Sequence, residues 1–162
     1  MRRIPLSALF GLVMTGAFLF CAIFAQWIAP YPLDAVTGKV WESPSAEFWL
    51  GTDTIGRDIL SRMIYGGQIT IFVALASSLL SFGMGAFFGF LAAVRGGWID
   101  QVLSRVVDVL MAIPSLIVAL VVLSVLPISL PVLIVVMGLL DATRVFRLSR
   151  AVAMDIAVMD YV

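Results

Sequence analysis

The sequence predicts an all-α, polytopic membrane protein, on three observations. Hydrophobic residues make up 62% of the 162 positions and charged residues 12%, against about 45–50% and about 25% in soluble domains. Long apolar segments with few or no charges recur along the chain. Arginines gather at alternate connections between those segments. A soluble fold of this size has too little interior to hide so much apolar surface, whereas lipid accepts it.

The first apolar segment runs over about Leu6–Ile28. It exceeds the roughly 7–15-residue core of a signal peptide and is long enough to cross a ~30 Å hydrocarbon layer. Phe18, Leu19 and Phe20 before Cys21 are bulky where a lipoprotein cleavage site needs small residues, so this segment reads as an uncleaved helix. The second segment, about 69–94, carries no charge. The third, about 106–126, has Asp108 near its start and Pro114 inside. The fourth, about 129–149, begins near Ile128 or Leu130, and its purely apolar part ends at Leu140. That part is too short to cross, so this helix must continue through Asp141 and Arg144 toward Arg147 or Arg150. Four spans are expected.

The positive-inside rule orients them. With the N-terminus inside, the cytoplasmic side holds Arg2, Arg3, Arg95, Arg105, Arg144, Arg147 and Arg150. The outer side holds Lys39, Arg57 and Arg62 beside Asp34, Glu42, Glu47, Asp53 and Asp58. The outer loop, about 29–68, opens with Ala29-Pro30-Tyr31-Pro32, a helix stop followed by extended chain. Trp27, Tyr31, Trp41 and Trp49 suit a membrane–water interface. Over about 54–66, Ile55, Ile59, Leu60, Met63 and Ile64 fall on one helical face and Arg57, Asp58, Ser61 and Arg62 on the other. This pattern predicts an amphipathic surface helix, capped by Asp53 or Thr54, with an Asp58–Arg62 pair.

Within the second segment, Ser77, Ser81, Gly85, Gly89 and Ala93 recur every fourth residue. Small residues at that spacing let another helix approach closely. Ala17, Cys21 and Ala25 form a shorter stripe in the first. On the third segment, Arg105, Asp108, Ala112, Ser115 and Ala119 share one helical face. An Arg105–Asp108 interfacial pair that sets helix depth and a polar wall of a translocation path are both readings of it. Pro114 breaks the helical ladder and predicts a bend. Asp141, Arg144 and Arg147 read as the polar edge where the fourth helix leaves the bilayer.

The residues exclude most chemistry. There is no His and a single Cys, and no HExxH, GxSxG, CxxC or GxxxxGK[ST] pattern. No basic patch suggests nucleic acid. No catalytic, cofactor-binding or metal residue is assigned. Any uphill movement of solute would draw its energy from another chain or an ion gradient.

Leu50-Gly51-Thr52-Asp53-Thr54-Ile55-Gly56-Arg57-Asp58-Ile59-Leu60-Ser61-Arg62 resembles the LGTDxxGRDxLSR signature of a permease family, the second membrane subunit of dipeptide, oligopeptide and nickel ABC importers. Tyr65-Gly66-Gly67, Arg95-Gly96-Gly97-Trp98-Ile99-Asp100, Arg105 through Asp108, Ala112-Ile113-Pro114-Ser115 and Asp160-Tyr161-Val162 agree with that family in order and spacing. The resemblance covers about residue 25 to the end. It implies a type I importer transmembrane domain of about six spans that pairs with a sister permease. It also implies an extracytoplasmic solute-binding protein, two cytoplasmic ATPases that use ATP, and the bacterial inner membrane. Gly51, Thr52, Asp53, Gly56, Arg57, Asp58, Ser61 and Arg62 would then brace the second span or dock the binding protein.

Two departures accompany the resemblance. Asp141-Ala142-Thr143 stands where relatives often carry an aromatic residue and a proline, and the sequence stops at Val162, where the family's E-A-A…G coupling segment is expected to begin. A fragment or truncation, four spans of six, is therefore expected. A small helical channel or assembly factor is the competing reading, which the small-residue stripes alone would allow.

Overall fold

The computed structural model describes residues 5–127 and 129–159. Arg2, Arg3, Ile128 and the Asp160-Tyr161-Val162 stretch lie outside the described residues. The described helices are α1 Leu6–Ile23, α2 Ala25–Ile28, α3 Ile59–Arg95, α4 Gly97–Ala112, α5 Ser115–Val125 and α6 Leu130–Met159. The strand-like pairing among the described residues is one isolated antiparallel bridge, Thr52 with Asp58. The protein is all-α. It divides into two compact units, Met1–Phe72 and Val73–Val162.

In the first unit, Pro5 sits before α1 with φ −64° and ψ 145°. Its fixed φ suits a helix entry, and its carbonyl takes the Ala8 and Leu9 N–H groups. The predicted run over Leu6–Ile28 is broken once, at Phe24 (φ −99°, ψ 18°), leaving α2 as a single turn. Ala29 is extended, as a residue before proline must be. Leu6, Phe10, Leu12, Val13 and Phe18 are exposed along α1, a surface only lipid or another helix can cover. The Gln68 amide of α3 donates to the Ala22 carbonyl at 2.8 Å and ties the two helices.

The predicted separate helix over about 54–66 is not formed. Residues 52–58 make a turn, and α3 then runs unbroken for 37 residues, about 55 Å. Gly56, at φ +83°, is outside the right-handed helical region, so no helix can pass through it. After Asp58 nothing interrupts the helix, which carries Gly66 and Gly67 within it.

In the second unit, Gly96 and Gly97 both take φ 56°, a conformation that costs side-chain-bearing residues more. They end α3 and start α4 well before the expected residue 106. The expected third span is two helices: α4 and α5 meet at 86°. Pro114 supplies no N–H, and Ile113 before it is extended (φ −95°, ψ 130°). Among the described residues two helices, α1 and α3, have the length and apolarity to cross a membrane, and the α4–α5 pair is a third if taken as one broken span. α6 has the length, at 30 residues, but carries Asp141, Arg144, Arg147 and Arg150.

The small-residue stripe of α3 meets α6. A Cβ added to Gly85 would lie 2.6 Å from Val145 Cβ and 2.7 Å from the Ala142 carbonyl oxygen. One added to Gly89 would lie 2.8 Å from the Phe146 carbonyl oxygen. Ser77 and Ser81 are buried, while Ala93 is half-buried and its neighbour Ala92 fully covered. On α6, Gly138 takes the Leu80 side chain. The α6 residues Ala142, Thr143, Phe146 and Ala153 are buried.

Candidate functional site

The Gly51–Arg62 segment folds as a clamp whose polar groups turn inward. Thr52, Asp58 and Ser61 are 1%, 3% and 1% exposed. Thr52 Oγ1 accepts the Glu42 N–H at 2.8 Å and donates to the Lys39 carbonyl, pinning residues 39–42 of the loop. Asp58 Oδ2 accepts the Ser61 N–H at 2.8 Å and the Ser61 hydroxyl at 2.7 Å. The first bond caps α3, because the early N–H groups of a helix have no partner inside it. The Ser61 oxygen in turn accepts the Tyr31 N–H at 3.0 Å, fastening the start of the loop to α3.

Asp53 organises the turn before the cap. Its Oδ1 accepts the Ile55 and Arg57 N–H groups at 2.9 and 3.0 Å, and its Oδ2 pairs with Arg62. The Arg57 N–H holds the Asp53 carboxyl below the usual carboxylate range, with Ile55 N–H and Arg62 acting in the same direction against desolvation. The expected Asp58–Arg62 pair is therefore replaced by Asp53–Arg62, because the Asp58 carboxylate is engaged by Ser61. The expected Asp53 or Thr54 cap is likewise replaced by Asp58. Arg57 lies 3.7 Å from exposed Asp34 and 4.0 Å from Asp53, and its Nε has no hydrogen-bond partner. Gly51 and Gly56 take φ +76° and +83°, and a Cβ on either would run into the carbonyl oxygen of Glu42 or Gly38. The loop leaves Val36, Val40, Trp41, Trp49 and Leu50 exposed, beside the exposed charges of Asp34, Lys39 and Glu47.

The second unit holds the residues of the expected polar path, and the 86° bend separates them. Arg105, Asp108 and Ala112 belong to α4, and Ser115 and Ala119 to α5, so they form no continuous face. No Arg105–Asp108 pair forms among the described residues. Asp108 instead borders a cavity of about 350 Å³ with Ser104, Phe146, Arg147 and Arg150. Pro114 and Ser115 border another, of about 310 Å³, with Thr143 and Arg144.

The strongest polar contact of this unit escaped the sequence reading. Arg150 of α6 grips Asp100 of α4 with two nitrogens, the second at 2.6 Å, and Ser104 adds a bond to Asp100 at 3.3 Å. Such forked pairing fixes orientation as well as distance. The partners are 50 residues apart. The only hint in sequence is that Asp100 and Ser104 share a helix face with Asp108.

Long apolar helices, with their charges concentrated in the 29–58 loop and where α4 meets α6, describe a polytopic membrane protein. The model of the family described as binding-protein-dependent transport system inner membrane component matches residues 85–162. That of the N-terminal TM domain of oligopeptide transport permease C matches residues 7–42. The chain is similar to the di/tripeptide transport system permease protein DppC of Pseudomonas aeruginosa, 34% identical over 163 residues, which are 96% of this chain and 54% of that protein. It is similar to the dipeptide transport system permease protein DppC of Haemophilus influenzae, 35% identical, with 96% and 55% covered. It is also similar to the oligopeptide transport system permease protein OppC of Bacillus subtilis, 32% identical, with 96% and 51% covered. The chain resembles the inner membrane components of binding-protein-dependent transport systems, and its similarity to dipeptide and oligopeptide permeases runs over nearly its whole length. It spans about half the length of the curated relatives it matches.

Proposed function

We propose that this chain is the membrane permease subunit of an ATP-driven importer of peptides or related small solutes, forming half of the translocation path with a sister permease. The observation that carries the reading is the pair of family matches, 7–42 and 85–162, on a chain whose curated relatives are named as di-, tri- and oligopeptide permeases. In this reading ATP is bound and hydrolysed by two separate cytoplasmic subunits, and an extracytoplasmic protein delivers the solute. The N-terminus is cytoplasmic and the 29–58 loop extracytoplasmic, as the arginine distribution supports.

The clamp fits a bracing role. Its signature side chains are spent on one another and on the loop backbone, so a docking partner would meet Trp41, Trp49 and Val40 in place of Thr52, Asp58 or Ser61. The competing reading is a small channel or assembly factor acting without ATPases. Affinity purification of the tagged protein from its native membrane separates the two. Recovery with a second permease and two ATPases is expected. Recovery as a homo-oligomer, or ATP hydrolysis by this protein alone, would contradict the proposal.

A further inference from the structure

The α3–α6 packing sets Asp141 and Arg144 far along α3 from its charged end at Arg95. α3 and α6 run parallel where they touch: Leu80 meets Gly138, Gly85 meets Ala142 and Val145, and Gly89 meets Phe146 and Ser149. Asp141 is therefore level with the residues just before Gly85. From Gly85 to Arg95, the next charge on α3, the helix climbs about 15 Å, which is about half of a ~30 Å hydrocarbon core. Met63 to Val94 carries no charge, so nothing on α3 marks a nearer surface.

Nor does Arg144 reach for the nearer surface. Its guanidinium turns back to Asp141, with NH1 3.0 Å from Oδ1. The two side chains are 68% and 56% exposed on this chain. An ion pair at that depth facing hydrocarbon would be costly, and charged groups inside membranes face a partner or a water-filled space. A cavity of about 310 Å³ adjoins the Arg144 side of the pair, where Pro114 breaks the α4–α5 ladder. Arg144, Thr143, Ser115 and Pro114 line it, and the break leaves backbone carbonyls without helical donors.

We propose that Asp141 and Arg144 line the water-filled solute path and form a specificity-determining pair for zwitterionic solutes. Asp141 takes the solute's ammonium group and Arg144 its carboxylate, each exchanging its bond to the other for one to the solute. A carboxylate and a guanidinium in contact are the complement of a molecule with one charge of each sign. This deepens the peptide-importer reading and rests on it for the solute, whereas the depth argument rests on the α3–α6 packing alone.

The test uses the complete permease assembled with its sister permease, ATPases and binding protein in proteoliposomes. On a C21S background, D141C and R144C are treated with a charged, membrane-impermeant thiol reagent, with F10C on α1 as the lipid-exposed control. Expected are modification of both path positions but not of F10C, and slowing of that modification by saturating dipeptide. In parallel, D141N is compared with wild type for uptake of a dipeptide and its N-acetylated analogue, using the same binding protein so that its own preference cancels. The discrimination against the acetylated analogue should shrink by roughly tenfold in D141N. R144Q should do the same for the C-amidated analogue.

Failure of D141C and R144C to react, with and without ATP, would overturn the proposal and place the pair against the sister permease. Reaction without any change in discrimination would overturn the role in solute recognition. If wild type carries no dipeptide while both cysteines react, the peptide reading fails and the water-filled face stands. Assembly of each variant is checked by recovery of the intact complex, and D141R/R144D restores a pair should D141N not assemble.

Discussion

Asp58 accepts two hydrogen bonds from Ser61, one from its backbone N–H and one from its hydroxyl, and the same hydroxyl oxygen receives the Tyr31 N–H. One buried carboxylate thus caps a 37-residue helix and, through one hydroxyl, anchors the loop that leads to it. Removing either side chain should loosen both. Ser61→Ala and Asp58→Ala are each expected to lower local stability by about 1–3 kcal/mol. Amide hydrogen exchange reads this directly: protection at Tyr31 and Ser61 should fall by roughly ten- to a hundredfold, while that of mid-α3 amides stays unchanged.

The two signature glycines are required by geometry. Gly51→Ala and Gly56→Ala each place a Cβ against a backbone oxygen at positive φ. Each should destabilise the loop by about 1–2 kcal/mol from the backbone conformation alone, with the clash added. Gly66→Ala and Gly67→Ala, which meet nothing within 4 Å, should be neutral or slightly stabilising in the middle of a helix. Limited proteolysis of the 29–58 loop distinguishes the two pairs.

The Asp53 carboxyl predicts the loop's behaviour in acid. Its folded pKa is lowered, chiefly by the Arg57 N–H. Its contribution is therefore fully present above the ordinary carboxylate value of about 3.9 and is lost as pH falls through the lower, folded value. Trp41 fluorescence should hold constant as pH falls to about 4 and change only below it. Asp53→Asn should give a weaker loop that lacks this acid transition.

The Asp100–Arg150 pair predicts coupling between α4 and α6. It is partly buried and forked. Asp100→Ala and Arg150→Ala should each destabilise the second unit, and their combination by less than the sum. The coupling energy expected from thermal unfolding in detergent is about 1–3 kcal/mol. Arg150→Lys should recover less than half, because an ammonium cannot supply both prongs.

Much of the fold was legible because lipid makes one demand on it. An apolar run long enough to cross must be helical, and α1 and α3 cover the two segments that hydropathy marked, α3 beginning at Ile59 and not near residue 69. Pro114 announced the α4–α5 break, but a proline says only that the ladder is interrupted, and the 86° angle comes from packing. The helical periodicity of Ile55, Ile59, Leu60, Met63 and Ile64 is real, yet the Asp53 turn and Gly56 override its first turn. Short-range pairing rules suggested Asp58–Arg62 and Arg105–Asp108. Ser61 holds Asp58, whereas Asp108 borders a cavity with Arg147 and Arg150 and makes no ion pair among the described residues. Contacts between residues 50 apart, such as Asp100–Arg150, leave no local trace, and the level of Asp141 along α3 emerges only from what α6 packs against.

The most direct test of the account is uptake of a radiolabelled dipeptide by proteoliposomes holding the complete permease with its sister permease, two ATPases and binding protein. The account predicts accumulation that requires ATP and all components and stops when this permease is omitted. Uptake that proceeds without ATP, or undiminished without this permease, would contradict it.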